Sequence, residues 1–467
     1  MTRIIWATLV SIPTLIIAQT GDTGATADTV SRGSTVMDGA SSGEVDSLAA
    51  RVSGLEAKTA AVGEKVGNME ATLVAGEEAF AEVKTTVGKL AKIKVGGYIQ
   101  AQWEYAENAG AFTATSQERF RMRRARLKTT YQGAMSKYVL EFDALPTGLS
   151  VKDANATITE PWLNAFSFEG GIMDRPFGFE VGYSSSAIEV PERTKGSNVL
   201  MPGEKDMGFA FIFKGTEQMG PLEMLDVKFG AFTGMGSGAN ENDDEKDFIG
   251  RLGLAVPVYD LNLAIDGGFS LYLGKVTDTT LKVSQTQKAN GNYTWAGKSN
   301  LKRLDTYDRN LMGVDAQIYY DIPVIGGISL RGEYWWGDWA STAGSYNLYT
   351  GDAKGIYLRE VASWYLMAVQ NIGASNQIAV RYDLFDPNTQ VGGDDIGKAG
   401  ANLNENDAAL STLGLAWNYF WDDAVRFTLA YDINRNEKVN AAATGSLSKW
   451  EDDFDNNQWT FRMQVKF

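Results

Sequence analysis

Two residue types are missing outright, for the 467-residue chain contains neither cysteine nor histidine. The first absence rules out disulfides, thiol nucleophiles and a lipid-modified cysteine near the N-terminus, and it suits an exported chain. The second removes the usual general base, the Ser-His and Cys-His nucleophile pairs and the commonest zinc ligand. We therefore expect no enzyme, no metal centre and no cofactor. Proline is scarce (10) beside glycine (50), which suits many strands joined by tight turns. Nothing beyond residue 18 approaches the eighteen or so consecutive apolar residues of a membrane helix. Positive charge is also short, with 43 Lys and Arg against 58 Asp and Glu, a net charge of −15. No basic face remains for a nucleic-acid partner.

The chain opens with a short basic start and an apolar run from Ile4 to Ile17 that reads as a secretory signal peptide, residues 1–18. Cleavage after Ala18 or after Ala27 fits equally. Residues 19–43 are Thr, Ser, Gly and Asp with little to bury, a flexible leader. From 44 to 93 the period becomes seven. Val45, Val52, Thr59, Val66, Leu73, Phe80 and Val87 occupy a positions, and Leu48, Leu55, Val62, Met69, Gly76, Val83 and Leu90 occupy d positions. Seven heptads in step predict an α-helical coiled coil roughly 70 Å long. Glycines at 54, 63, 67, 76 and 88 each cost about 1 kcal/mol relative to Ala, so the helix needs partners.

From residue 94 to 467 the period is two. The clearest stretch is the last: Trp459, Phe461, Met463, Val465 and Phe467 share one face, and Gln458, Thr460, Arg462, Gln464 and Lys466 share the other. A strand that is oily on one face and stops on an aromatic residue resembles the closing strand of a bacterial outer-membrane barrel. Sixteen such strands can be counted. Gaps after even-numbered strands are mostly short, whereas those after odd-numbered strands, such as 174–205, 234–247, 274–308, 337–358, 386–409 and 434–456, are mostly long and polar. An all-β, 16-stranded antiparallel transmembrane β-barrel has that rhythm, and its even count closes the sheet with no edge left in lipid. Aromatics near strand ends, including Trp103, Tyr105, Tyr319, Tyr320, Trp335, Trp336, Trp417, Trp421 and Trp459, suit girdles at the two membrane interfaces.

The opposite parity names the expected pore-lining residues: Arg124, Arg126, Lys128, Glu141, Asp143, Asp153, Arg251, Arg331, Arg381, Arg426 and Arg462. So many charges require water, and sixteen strands give a radius too large for side chains to fill. Loop 174–205, the third on the long-loop rim, is expected to set the constriction through Asp174, Arg175, Glu180, Glu189, Glu192, Arg193 and Lys195.

Several short motifs agree in order and spacing: F-R-M-R-R-A-R-L-K from Phe120, L-E-F-D from Leu140, V-K-D-A from Val151, R-P-F-G-F-E from Arg175, P-E-R from Pro191 and R-Y-D-L-F-D-P-N from Arg381. Over 94–467 they resemble the phosphate-selective porin O and P family. The resemblance implies a trimeric barrel in the outer membrane of a Gram-negative-type bacterium, and passive diffusion of small solutes, with anions such as phosphate favoured. The heptads lie outside it, and the chain departs from it in its acidic balance and in Asp174. The leading expectation is an outer-membrane porin with its coiled coil in the periplasm. The alternative is a structural tether that reaches the cell wall through that coiled coil.

Overall fold

The computed structural model describes residues 42–107, 118–237, 241, 243–453 and 456–467. The expected signal peptide and leader fall outside these residues, except that Ser42 and Gly43 already belong to a helix. The chain divides into two units, 1–84 and 85–467.

Helix α1 runs Ser42–Leu90 without a break, straight through the five glycines. Its apolar seam is exposed among the described residues. Leu48, Leu55, Val62, Met69, Leu73, Phe80, Val83 and Val87 are all exposed, Met69 at 72% and Phe80 at 70%.

Unit 85–467 is a closed barrel. Among the described residues its wall has sixteen strands: β1 (Ile93–Ala106), β2 (Glu118–Gln132), β3 (Ser136–Leu145), β4 (Gly148–Thr159), β5 (Phe166–Asp174), β6 (Lys205–Lys214), β7 (Leu225–Phe232), β8 (Asp247–Val258), β9 (Leu263–Thr277), β12 (Thr306–Ile322), β13 (Gly326–Thr342), β14 (Ile356–Ile372), β15 (Asn376–Asp386), β16 (Leu410–Phe420), β17 (Val425–Asn436) and β18 (Gln458–Lys466). Each is antiparallel to the next, with β9 paired to β12. β18 closes on β1 through nine residue pairs from Tyr98↔Lys466 to Ala106↔Gln458. Phe467 extends the seam: its N–H donates to the Gly97 carbonyl at 3.0 Å, and its own carbonyl accepts from the Gly97 N–H at 2.9 Å. Gly97 is small for a reason, since a Cβ there would stand 2.3 Å from the Arg126 carbonyl and 2.8 Å from the Phe467 ring.

The alternation sorts side chains as expected. Val95, Leu127, Phe209, Leu252, Val314, Leu366, Val380, Leu429 and Phe461 are exposed on the outer face. Gln100, Arg124, Asp143, Gln317, Asp383, Asn418 and Arg462 are buried on the inner face. Two expected girdle residues belong inside instead. Trp335 is 3% exposed and sits in an inner apolar cluster, and Tyr319 lies beside the Arg331 guanidinium at 5.8 Å. Adjacent residues on a strand face opposite ways, so in the pairs Tyr319-Tyr320 and Trp335-Trp336 one ring of each must point inward.

One rim carries short turns, such as 133–135, 323–325, 373–375 and 421–424, and the other carries long connections. The β3–β4 connection is the exception on the long rim, only residues 146–147. The long connections are more structured than their polar composition suggests. Residues 274–308 hold a hairpin, β10 (Val283–Ala289) and β11 (Asn292–Gly297), that adds to β14 in parallel outside the wall. Its Asn290-Gly291 turn has φ of 51° and 82°, the left-handed pair that such hairpins require. The hairpin's Trp295 packs with Val391, Ile396, Leu403, Ala408 and Val439 from two other connections into a small core. An ion pair buried at 0% on both sides, Arg359 to Asp407 at 2.5 Å, pins that core to β14, with Trp295 Nε1 also donating to Asp407 at 3.1 Å.

Candidate functional site

Two irregularities in the wall create the site. On β2 the sequence R-F-R-M-R-R-A-R-L-K places Phe120 and Met122 outward, then changes parity so that Ala125 and Leu127 face outward. The change is a β-bulge at Arg123, which is skipped where Gln100 pairs Arg124 and Ala101 pairs Met122. Both Arg123 and Arg124 therefore turn inward, in line with Arg119, Arg121, Arg126 and Lys128. A second bulge, between Glu141↔Asp153 and Phe142↔Val151, does the same for Lys152 and Asp153 on β4. The alternation read as one unbroken run identifies Arg124, Arg126, Lys128 and Asp153 and misses Arg123 and Lys152. The doubled R-R and K-D between apolar residues of changing parity was the available signal.

Residues 175–204 then fold back against the inner face. Their apolar side chains Phe177, Val181, Ile188, Val190, Val199 and Leu200 are buried, and Phe177 meets Trp335 edge-on at 5.2 Å. Gly178 is left-handed at φ 65°, and a Cβ there would lie 2.8 Å from the Trp335 ring. The Phe179 and Glu180 N–H groups both donate to the Glu333 carboxylate. A short helix α2 (Lys195–Leu200), capped by the Thr194 hydroxyl, ends the segment.

Ion pairs and hydrogen bonds from arginines latch this loop to the wall at three places. Glu192 receives Arg123 at 2.6 and 2.7 Å, Arg124 at 3.2 Å and Arg462 at 3.0 Å, so one carboxylate joins β2 to β18 across β1. Burial by itself would raise the Glu192 carboxyl, but Arg124, Arg123 and Arg462 outweigh it and hold it at about 2. Glu189 pairs with Arg331 at 2.9 Å, and the Ile188 carbonyl accepts from Arg426 at 3.0 Å. Arg381 donates to the Glu192 carbonyl at 2.6 Å and pairs with Asp383 at 3.0 Å. Arg193 turns back to Glu204 and the Glu180 carbonyl. Burial would raise Glu204 too, yet Arg193, Arg126 and Arg124 keep it below the ordinary carboxylate range.

The expected site residues fall into three groups. Arg124, Arg331, Arg381, Arg426, Arg462, Glu180, Glu189 and Glu192 form the seam between loop and wall. Arg126, Lys128, Glu141, Asp143, Asp153, Asp174 and Arg193 gather beside the loop's other edge, with Arg126 at 3.3 Å from Glu141, Lys128 at 3.2 Å from Asp153, and Lys205 bridging Asp153 and Asp174 at 2.8 and 2.7 Å. The rest lie apart: Arg175 is buried at 2% against Asp206, Arg251 pairs with Asp315 at 2.6 Å, and the Lys195 ammonium sits 5.1 Å above the Tyr346 ring.

Between the loop and β1–β4 a cavity of about 450 Å³ remains. Six cations line it, Lys94, Arg126, Lys128, Arg193, Lys205 and Lys466, against four carboxylate side chains, Glu141, Asp153, Asp174 and Glu204. Lys152 adds its charge near Arg126, Glu204 and Asp143 and has no ion pair among the described residues. Among those residues no group of carboxylates is arranged to hold a metal ion.

The closed barrel is a fold also found in outer-membrane proteins of known structure. The chain is similar in structure to OprB of Pseudomonas putida (TM-score 0.51, 12% identity, covering 82% of this chain and 96% of that one). It is likewise similar to the outer membrane channel DcaP of Acinetobacter baumannii (TM-score 0.50, 12% identity, 80% and 97% covered). At such identity the likeness shows the fold. No protein-family model matches the chain and no curated protein matches it in sequence, so membership of the phosphate-selective family is not shown.

Proposed function

We propose that the protein is an outer-membrane porin that passes small hydrophilic solutes by passive diffusion and favours anions at its narrowest point. One observation carries the reading: a chain of net charge −15 presents six cations to four carboxylates where its folded-in loop leaves the cavity beside β1–β4. Positive charge held in a confined aqueous space raises the local anion concentration, and at physiological ionic strength its reach is about 8 Å. Phosphate, the solute that the family resemblance implies, suits paired Arg and Lys donors. No residue is asked to do covalent chemistry.

In this reading the long connections face outward, the short turns and α1 face the periplasm, and the protomers form a trimer whose helices coil together. The exposed apolar seam of α1 supports the last point, since such a seam is what a partner helix would cover. It equally supports the tether as a second role, with barrel and rod acting independently. Single channels of the purified protein in a planar bilayer under a salt gradient test the main reading. Stable conductance with a reversal potential on the anion side, reduced by added phosphate, is expected. Absence of channels, or cation preference, overturns it.

A further inference from the structure

The cavity beside β1–β4 is lined by ten charged side chains, whereas a second cavity, on the long-loop side of the lumen, is lined by three. It measures about 490 Å³, within the usual range for a small-molecule site, and lies at the long-loop ends of β16, β17 and β18, facing α2 and Tyr346. Most of its polar lining is uncharged, with Asn406, Thr412, Asn434, Asn436 and Gln458 prominent. Alternation along β16–β18 is what turns Thr412, Asn434, Asn436 and Gln458 inward together.

From this lining we infer that the vestibule binds neutral, hydroxyl-rich solutes of the size of a mono- or disaccharide before they reach the constriction. Amide side chains present carbonyl acceptors to which sugar hydroxyls can donate. Several donors are already committed: Asn434 Nδ2 to the Asn456 carbonyl at 2.9 Å, Asn406 Nδ2 to the Gly344 carbonyl at 3.1 Å, and Gln458 Nε2 to Thr460 at 3.1 Å. The Thr412 hydroxyl donates to Asn434 Oδ1 at 3.0 Å. These bonds hold the amides in place, and the Gln458 side-chain carbonyl accepts no hydrogen bond among the described residues, which leaves it to a hydroxyl donor. An organic cation fits less well, because Lys195 already occupies the Tyr346 ring face at 5.1 Å. An anion gains little where Lys195 and Arg435 are offset by Glu405 and by Asp453, which pairs with Arg435.

The inference rests on the porin reading for its consequence, although binding can be measured without conduction. Purified barrel in detergent is titrated with glucose and maltose, following intrinsic tryptophan fluorescence, with choline and potassium phosphate as controls. Saturable change with either sugar and none with the controls is expected. The Thr412→Val, Gln458→Leu double variant, which keeps side-chain size, should weaken sugar binding at least tenfold while its heat-modifiable migration stays unchanged. The same sugars added to the long-loop side of a bilayer should interrupt the ion current of wild type and not of the variant. Channels that conduct without sugar interruption, together with a flat titration, would overturn the inference and leave the porin reading standing. Saturable sugar binding by a protein that forms no channel would do the reverse. Equal sugar binding by the variant and wild type would remove the vestibule as the site.

Discussion

Glu192→Gln is the substitution that most directly questions how the loop is held. The carboxylate stands among Arg123, Arg124 and Arg462, and those three charges depress it from 4.5 to about 2. At 1.36 kcal/mol per tenfold, that depression corresponds to roughly 3 kcal/mol of preference for the charged form. A folded-state pKa below the unfolded one means stabilisation that is complete above the ordinary carboxylate range and lost as pH falls through about 2. The latch should therefore hold nearly unchanged from pH 7 to about pH 5 and weaken progressively below it. Glutamine preserves the shape and removes the charge, leaving three guanidinium groups with no shared counter-ion. If all of the roughly 3 kcal/mol reaches the loop equilibrium, the undocked population rises by about two orders of magnitude. The apolar anchors Phe177, Val181, Val199 and Leu200 and the Arg331–Glu189 pair remain, so the docked state stays the major one. In a planar bilayer the variant should show frequent current fluctuations that wild type lacks, and a reversal potential moved further toward anions. Quiet channels with unchanged reversal potential, from a barrel that still migrates as folded, would refute the latch.

Other consequences can be checked separately. Lys128→Gln with Lys152→Gln should lower the anion-to-cation permeability ratio by about twofold or more, read from reversal potentials, with folding intact because Lys128 is half exposed and Lys152 has no ion pair among the described residues. Gly97→Val should block assembly, since the new side chain meets both the Arg126 carbonyl and the Phe467 ring; normal amounts of heat-modifiable barrel would contradict this. Asp407→Ala strands the buried Arg359 charge at a cost of about 3 to 5 kcal/mol, so limited proteolysis should open the outer connections at lower temperature, without altering conductance. A peptide spanning 42–92 should gain helicity with concentration, as its bare seam requires, and concentration-independent circular dichroism would count against self-association.

The strand count, the closure of the barrel and the inner and outer faces were all legible in the sequence, because the side-chain period of a strand is two and lipid tolerates no exception on the outer face. Leu127 and Arg126 needed no partner to declare their sides. The heptads of α1 declared a helix in the same local way. Legibility failed where the backbone departs from its period or where a segment's destination is non-local. Arg123 and Lys152 were missed because a bulge reverses parity within one strand, and the hairpin β10–β11 was missed although Asn290-Gly291 marked its turn. Trp335 and Tyr319 face inward because alternation, and not clustering near a strand end, decides the side of a ring. What only the tertiary structure decided is the path of residues 175–204. Glu192 meets Arg462 across 270 residues of chain and Glu189 meets Arg331 across 142. No local pattern encodes such pairings: they exist because the closed sheet brings β2, β13 and β18 around one lumen, and a loop carrying carboxylates finds its lowest energy against the arginines that the closure has gathered there.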